Sequence, residues 1–250
     1  MTQIAARERL TRGGAFHAVA HRGDPSHHRE NTLPSIDAAI AAGADVVEID
    51  IKTTADAAVV VLHDDTLERL WGDPRPITGI GTTELDRIGD DDHRIPLLSE
   101  VLERIGRSSA ALLIDMDHPA WAEPGLAVVG ESLAAGTIAP DQVLWCGRPD
   151  SLKIIRDADP SARIVFSWDE SDADGRLPAE SMINELSPEA FNPHWPMIND
   201  AVIDWAADHG LAITCWTVDD PELMRHLLDL GIDGITTNRI HQLQELRRDR

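Results

Sequence analysis

Short apolar runs rich in β-branched residues alternate along this chain with amphipathic stretches of helical length. Residues 17–21 (HAVAH), 46–51 (VVEIDI), 58–63 (AVVVLH), 111–116 (ALLIDM), 143–146 (VLWC), 162–168 (ARIVFSW), 190–193 (AFNP), 212–218 (AITCWTV) and 233–237 (DGITT) predict strands. Residues 33–42, 97–106, 120–135, 150–158, 199–208, 220–229 and 240–248 predict helices between them. Such alternation produces βαβ units and a parallel sheet. About eight strands with crossover helices predict one (β/α)8 TIM barrel over residues 1–250, with an open doubly wound sheet as the alternative. No Gly-x-Gly-x-x-Gly follows the first run, which counts against dinucleotide binding.

Local chemistry supports the helix assignments. In NTLPSIDAAIAAG, Thr32 suits the N-cap, Pro34 the first turn and Gly43 the left-handed position past the end. In TVDDPELMRHLLDLG, Asp219 or Asp220 suits the cap, Pro221 the first turn and Gly231 the stop. The pattern breaks between His63 and Ser99 into a stretch rich in Gly, Pro and Asp, and residues 64–98 are expected to form an insertion or lid after the second barrel strand region.

The barrel reading directs attention to the polar residues that end apolar runs, because a barrel of this kind carries its active site at the carboxyl ends of its strands. His21 and Arg22 end the first run, Glu48 and Asp50 lie in the second, His63 ends the third, and Asp115 and Asp117 end the fourth. Glu48 and Asp50 are two apart on a strand and share a face. Flanked by Val46, Val47, Ile49 and Ile51, they either enter the barrel, where a divalent cation would offset the cost of burying them, or face water on an edge strand. His21 and His63 at the same end would supply an acid and a base near neutral pH. Arg22 suits bidentate phosphate binding. His27 and His28, in the loop after the first run, read as solvated side chains without a role.

Charge narrows the partners. With 22 Lys+Arg against 44 Asp+Glu, the net charge of -22 repels nucleic acid and anionic membrane surfaces. A phosphate-bearing substrate therefore requires a local arginine, lysine or metal ion. Cys146 and Cys215 sit inside apolar runs and read as small buried hydrophobes, not a disulfide or zinc pair. The N-terminal MTQIAARERLTRGGAF has no apolar stretch suited to a signal peptide, and the expected location is cytoplasmic, without stable membrane association.

The string AHRGDPSHHRENTLPSIDAAIAAGADVVEIDIKTTADAAVVVLHDDTLERLWG resembles the opening of glycerophosphodiester phosphodiesterases, within the PLC-like phosphodiesterase superfamily. The carriers are HRG, then ENT, a Glu-x-Asp strand and a strand ending in His-Asp; IPLLSEVL, CWTVDD and LLDLGIDGITTNR resemble later landmarks, so the likeness spans the chain. The resemblance implies hydrolysis of a small glycerophosphodiester to glycerol 3-phosphate and an alcohol. It implies Glu48, Asp50 and Asp115 as ligands of one Mg2+ or Ca2+, His21 and His63 as the acid-base pair, and Arg22 on the phosphate. Glu30 and Asn31 would position the loop and the metal shell, and Trp216 would wall the glycerol or head group.

The chain also departs from that pattern. A Glu-x-Lys landmark is replaced by Asp115-Met116-Asp117, and Asp117 is expected to repel a substrate phosphate unless it binds metal or faces a cationic head group. Arg29 stands where the family has proline and would return some positive charge, and Thr-Asp-Arg-Pro has become Thr237-Asn238-Arg239-Ile240. Two alternatives follow. One is a lysophospholipase D-like enzyme using Trp71 and Ile77–Ile80 as an apolar groove; the other is a phosphodiester-binding homologue with weakened catalysis.

Overall fold

A computed structural model describes residues 10–90 and 93–248. In chain order its elements are β1 (His17–His21), α1 (Leu33–Ala41), β2 (Val46–Thr53), β3 (Val59–Val61), β4 (Thr66–Leu67), α2 (Glu68–Trp71), β5 (Asp73–Pro76), α3 (Thr82–Leu85) and α4 (Leu98–Gly106). Then come β6 (Ala111–Met116), α5 (Ala122–Ala134), β7 (Val143–Gly147), α6 (Pro149–Ala158), β8 (Arg163–Trp168), α7 (Glu180–Leu186) and β9 (Ala190–Pro193). The chain ends with α8 (Asp200–Asp208), β10 (Ala212–Cys215), α9 (Pro221–Asp229), β11 (Gly234–Thr237) and α10 (Ile240–Arg248). The N-terminal segment read above for a leader begins outside the described residues, as do Asp91 and Asp92 of the expected insertion.

Strands β1, β11, β10, β9, β8, β7, β6 and β2 are hydrogen-bonded neighbours in that order, and β2 pairs back onto β1, closing a parallel barrel of eight strands. The open-sheet alternative is thereby excluded. Alternation along each strand sorts the side chains. Outward residues such as Ile49, Leu112, Ile114, Phe166 and Ile213 pack against the helices in the main core. Inward Val19, Val46, Leu113, Leu144, Cys146 and Val165 fill the barrel, and Leu10 closes its floor. Both cysteines are free and buried.

The 58–63 run is a strand but not a barrel strand. β2 overshoots the barrel rim, and β3 descends antiparallel beside it, pairing Thr53 with Val59 and Ile51 with Val61. An apolar run carries no direction, so pattern alone could not separate this hairpin from a parallel unit. The descent returns the chain to the rim, where Leu62 N donates to Asp50 O at 3.0 Å and His63 follows.

Residues 64–98 hold the β4–β5 pair, α2 and α3 rather than an unstructured loop. Val60, Leu62, Leu67, Ile77, Ile80, Leu85 and Ile95 form a core of their own there. Helix α1 begins as read: the Thr32 hydroxyl accepts from Ser35 N, and Gly43 adopts φ 85° beyond its end. At α9 the cap is Asp220, whose carboxylate accepts from Leu223 N at 2.8 Å, which leaves Asp219 available elsewhere. No helix among the described residues is long and apolar enough to cross a membrane.

Candidate active site

Strand register assembles the site. β1 against β2 sets His21 beside Glu48, and β2 against β6 sets Asp50 beside Asp115. Four polar side chains thus meet at the carboxyl end of three adjacent strands, facing inward. A narrow cavity of about 60 Å³ at this mouth is lined by His21, Glu48, Asp115 and Trp216, together with Ser167, Asn192 and Thr236.

Glu48 and Asp50 are 5% and 9% exposed, which settles the choice between barrel interior and edge strand. Oxygen atoms of Glu48, Asp50 and Asp115 lie within 4.8 Å of one another. Burial first, then the neighbouring Asp50 and Asp115 charges, hold the Glu48 carboxyl well above the usual carboxylate range. Burial and Asp50 likewise push Asp115 up to about 7. Crowded carboxylates of this kind favour protons or a cation.

The loop after β1 supplies the organic cation. Arg22 adopts φ 57°, its N–H donates to Glu48 Oε2 at 3.0 Å, and its guanidinium reaches Glu30 Oε1 at 2.8 Å and Asp50 Oδ2 at 3.1 Å. Gly23 follows at φ +87°, where an added Cβ would meet Ser35 backbone carbon at 2.6 Å, so the turn requires glycine. Asn31 Nδ2 donates to Asp50 Oδ2 at 2.7 Å, while Asn31 Oδ1 is buried without a partner. Arg69 from α2 reaches Glu30 at 2.6 Å and Asp64 at 2.6 Å, tying the insertion to this loop.

Asn238, just past β11, defines the protonation of His21. Asp219 accepts from both Asn238 N (2.8 Å) and Asn238 Nδ2 (2.7 Å), which pins the amide. Its carbonyl Oδ1 therefore faces His21 Nδ1 at 2.8 Å, and that nitrogen must be the donor. The bare Nε2 is left on the cavity side, 4.0 Å from Glu48 Oε2. Burial, then Arg22, lowers the His21 pKa and keeps the ring neutral. Asn238 was not singled out as a site residue; its place in TTNR, directly after a barrel strand, was the available signal.

His63 is placed differently. It does not line the central cavity, its side chain is 46% exposed, and Nδ1 contacts Asp64 Oδ1 at 2.7 Å on the rim. Trp216 does wall the cavity, with its indole N–H donating to Asn192 O at 2.9 Å.

The expectation for Asp117 is corrected by Lys52, a residue sequence reasoning passed over. Lys52 continues the inward parity of Glu48 and Asp50, and its ammonium reaches Asp117 Oδ2 at 2.8 Å and Asp65 Oδ1 at 2.9 Å. Burial opposes the Lys52 charge, but the two carboxylates outweigh it and raise its pKa. Asp117 also accepts from Trp121 Nε1 at 3.0 Å. It is therefore a paired anion, not an unopposed one. Arg29 stacks over the Trp71 ring at 4.4 Å instead of entering the cavity.

The family model for the glycerophosphoryl diester phosphodiesterase family matches residues 21–242. A glycerophosphodiester phosphodiesterase of Caldanaerobacter subterraneus subsp. tengcongensis is 25% identical over 229 residues, covering 88% of this chain and 93% of its own. One from Bacillus altitudinis is 26% identical over 233 residues, with coverage of 88% and 93%. Among solved structures, an Oleispira antarctica phosphodiesterase in complex with the product sn-glycerol-3-phosphate superposes with TM-score 0.83 at 21% identity, covering 93% of this chain and 96% of the other. A Thermotoga maritima glycerophosphodiester phosphodiesterase gives 0.75 at 24% identity, covering 94% and 99%. With the match beginning at His21 and running through nearly the whole barrel, the chain belongs to the glycerophosphoryl diester phosphodiesterase family.

Proposed function

We propose that the protein hydrolyses glycerophosphodiesters to glycerol 3-phosphate and an alcohol, by acid-base catalysis from His21 and His63 beside a divalent cation. The observation that carries this reading is the convergence, at one barrel mouth, of the buried Glu48 and Asp50, the partly buried Asp115, one arginine and a neutral histidine with its Nε2 bare.

The residues fit such a cation. Glu48, Asp50 and Asp115 offer hard oxygen donors, as Mg2+ and Ca2+ prefer, and the unpartnered Asn31 Oδ1 is a further oxygen on a side chain bonded to Asp50. Bound there, the cation supplies neutralisation of the phosphate charge. Arg22, gripped by Glu30 and Asp50, presents its remaining donors to the same phosphate.

His21 Nε2 takes the proton of the glycerol hydroxyl adjacent to the phosphoester, and that oxygen attacks phosphorus. His63, oriented by Asp64, protonates the departing alcohol, and water then opens the cyclic phosphate with the histidine roles reversed. The leaving alcohol occupies the neighbouring cavity of about 190 Å³, lined by Trp168, Trp216, Asp117, Asp169 and Asp172 as well as Arg148. Aromatic and acidic walls suit a cationic alcohol such as choline or ethanolamine. The lysophospholipase D alternative loses its groove, because Ile77 and Ile80 are 1% and 0% exposed within the insertion core.

Replacing His63 with alanine is expected to lower kcat for glycerophosphocholine by about 10²–10⁴-fold, the usual worth of a general acid. A substrate with an activated leaving group, such as a p-nitrophenyl glycerophosphate ester, should recover most of that loss. Equal losses on both substrates would remove His63 from the acid role.

A further inference from the structure

His27, one of the two histidines that read as solvated in the sequence, belongs with Asp24 and His241 to a second cluster, outside the mouth. Asp24 follows the Arg22-Gly23 turn and is 1% exposed. One of its oxygens, Oδ2, meets His27 Nδ1 at 2.8 Å and His241 Nε2 at 3.2 Å, while Oδ1 is buried without a hydrogen-bond partner. The two imidazoles, 62% and 54% exposed, lie edge to face with centroids 5.2 Å apart. A ligand atom from each of the three residues lies within 4.8 Å of the others. The ion pairs that reach Asp24 among the described residues come from these imidazoles, not from arginine or lysine.

We infer that Asp24, His27 and His241 form a second metal site, selective for Zn2+ or a similar borderline transition ion. The donor chemistry separates it from the mouth. Two imidazoles and one carboxylate match Zn2+, Co2+ or Ni2+, whereas Glu48, Asp50 and Asp115 offer oxygen alone. Three protein ligands with outward-facing histidines leave the remaining position to water. The backbone that carries this carboxylate is already held, since Asp24 N donates to Ser35 O at 3.0 Å and to Ser35 Oγ at 2.8 Å. Such preorganisation lowers the cost of assembling the ligands.

The position gives the ion a structural consequence. His27 belongs to the loop after β1, and His241 to the first turn of α10, so one ion staples segments 214 residues apart in sequence. Between them, Ser26 Oγ donates to Asn238 O at 2.7 Å, and Asn238 is the residue that orients His21. The staple therefore braces the positioning of His21 without touching substrate.

The test is a Co2+ titration of untagged full-length protein held in excess Mg2+, read by the visible d–d absorption of four-coordinate Co2+. Wild type should give a saturable band at one equivalent. The band should be lost in both His27→Gln and His241→Gln and kept in Glu48→Gln, and Zn2+ should displace it. Because both histidines are largely exposed, these substitutions leave the fold intact, which the far-UV circular dichroism spectrum checks. Zn2+ should also raise the Tm of wild type but not of His241→Gln. No band in wild type, or a band that survives either histidine substitution, overturns the inference; loss in His28→Gln alone would reassign the binding to adventitious surface histidines.

Discussion

The floor and the mouth of this barrel handle buried charge in opposite ways. At the floor, Arg163 and Glu189 are 9% and 7% exposed and pair through two contacts, Nη2 to Oε1 at 2.6 Å and Nε to Oε2 at 3.0 Å. Asp233 there accepts from Gly13 N and Ile213 N and pairs with Arg12, and Asp45 pairs with Arg247. Each of these carboxylates has its own cation. At the mouth, Glu48, Asp50 and Asp115 share Arg22, and Glu48 and Asp115 respond with raised pKa values. Crowded negative charge therefore sets the candidate site apart, and individually paired charge characterises the opposite end. The global charge of -22 distinguishes neither.

The sharpest break in that comparison is Glu48→Gln. Removing a mouth carboxylate should cost about three orders of magnitude in kcat, as loss of preorganised charge stabilisation does in enzyme sites, while the Tm of the metal-free protein stays level or rises. A fall in Tm with kcat preserved would reverse the roles assigned to the two ends.

At the floor, Glu189→Gln should do the converse. Removing the charge that pairs with Arg163, whose Nη1 also donates to Asp141 O at 2.6 Å, is expected to cost about 3 kcal/mol of stability, measured by urea unfolding, with kcat per folded molecule unchanged.

A smaller effect follows from Asp115. Its folded-state pKa of about 7 lies above the ordinary aspartate value of 3.8, so protonated Asp115 favours the folded state below the lower value, and that contribution is lost as pH rises through about 7. In EDTA, the Tm of Asp115→Asn should match that of wild type near pH 4 and exceed it increasingly up to pH 8. A gain that shrinks with rising pH would contradict the assignment.

Much of this was legible in the sequence because strands write their faces with a period of two. The limits read for β1, β6 and β9 coincide with the observed ones, and the shared parity of Glu48 and Asp50 placed them together inside the barrel. The same parity extends to Lys52, whose role was missed because a lone lysine in a strand reads as solvent-facing until its partners Asp65 and Asp117 are known. Pattern also missed α7, a seven-residue helix that buries only Ile183 and Leu186, too little to write a periodic signature. Features that depend on distant segments meeting were out of reach: the Asp219–Asn238–His21 relay, and His27 beside His241. The direction of β3 was likewise invisible, because antiparallel and parallel neighbours draw on the same apolar residues.

The most direct measurement is release of glycerol 3-phosphate from glycerophosphocholine by purified protein, first in EDTA and then with Mg2+ or Ca2+ restored. Release that is abolished by EDTA, returned by either cation and absent in Glu48→Gln is the predicted result. Undiminished release in EDTA would contradict the account, because the three carboxylates at the mouth would then lack the role that their crowding implies.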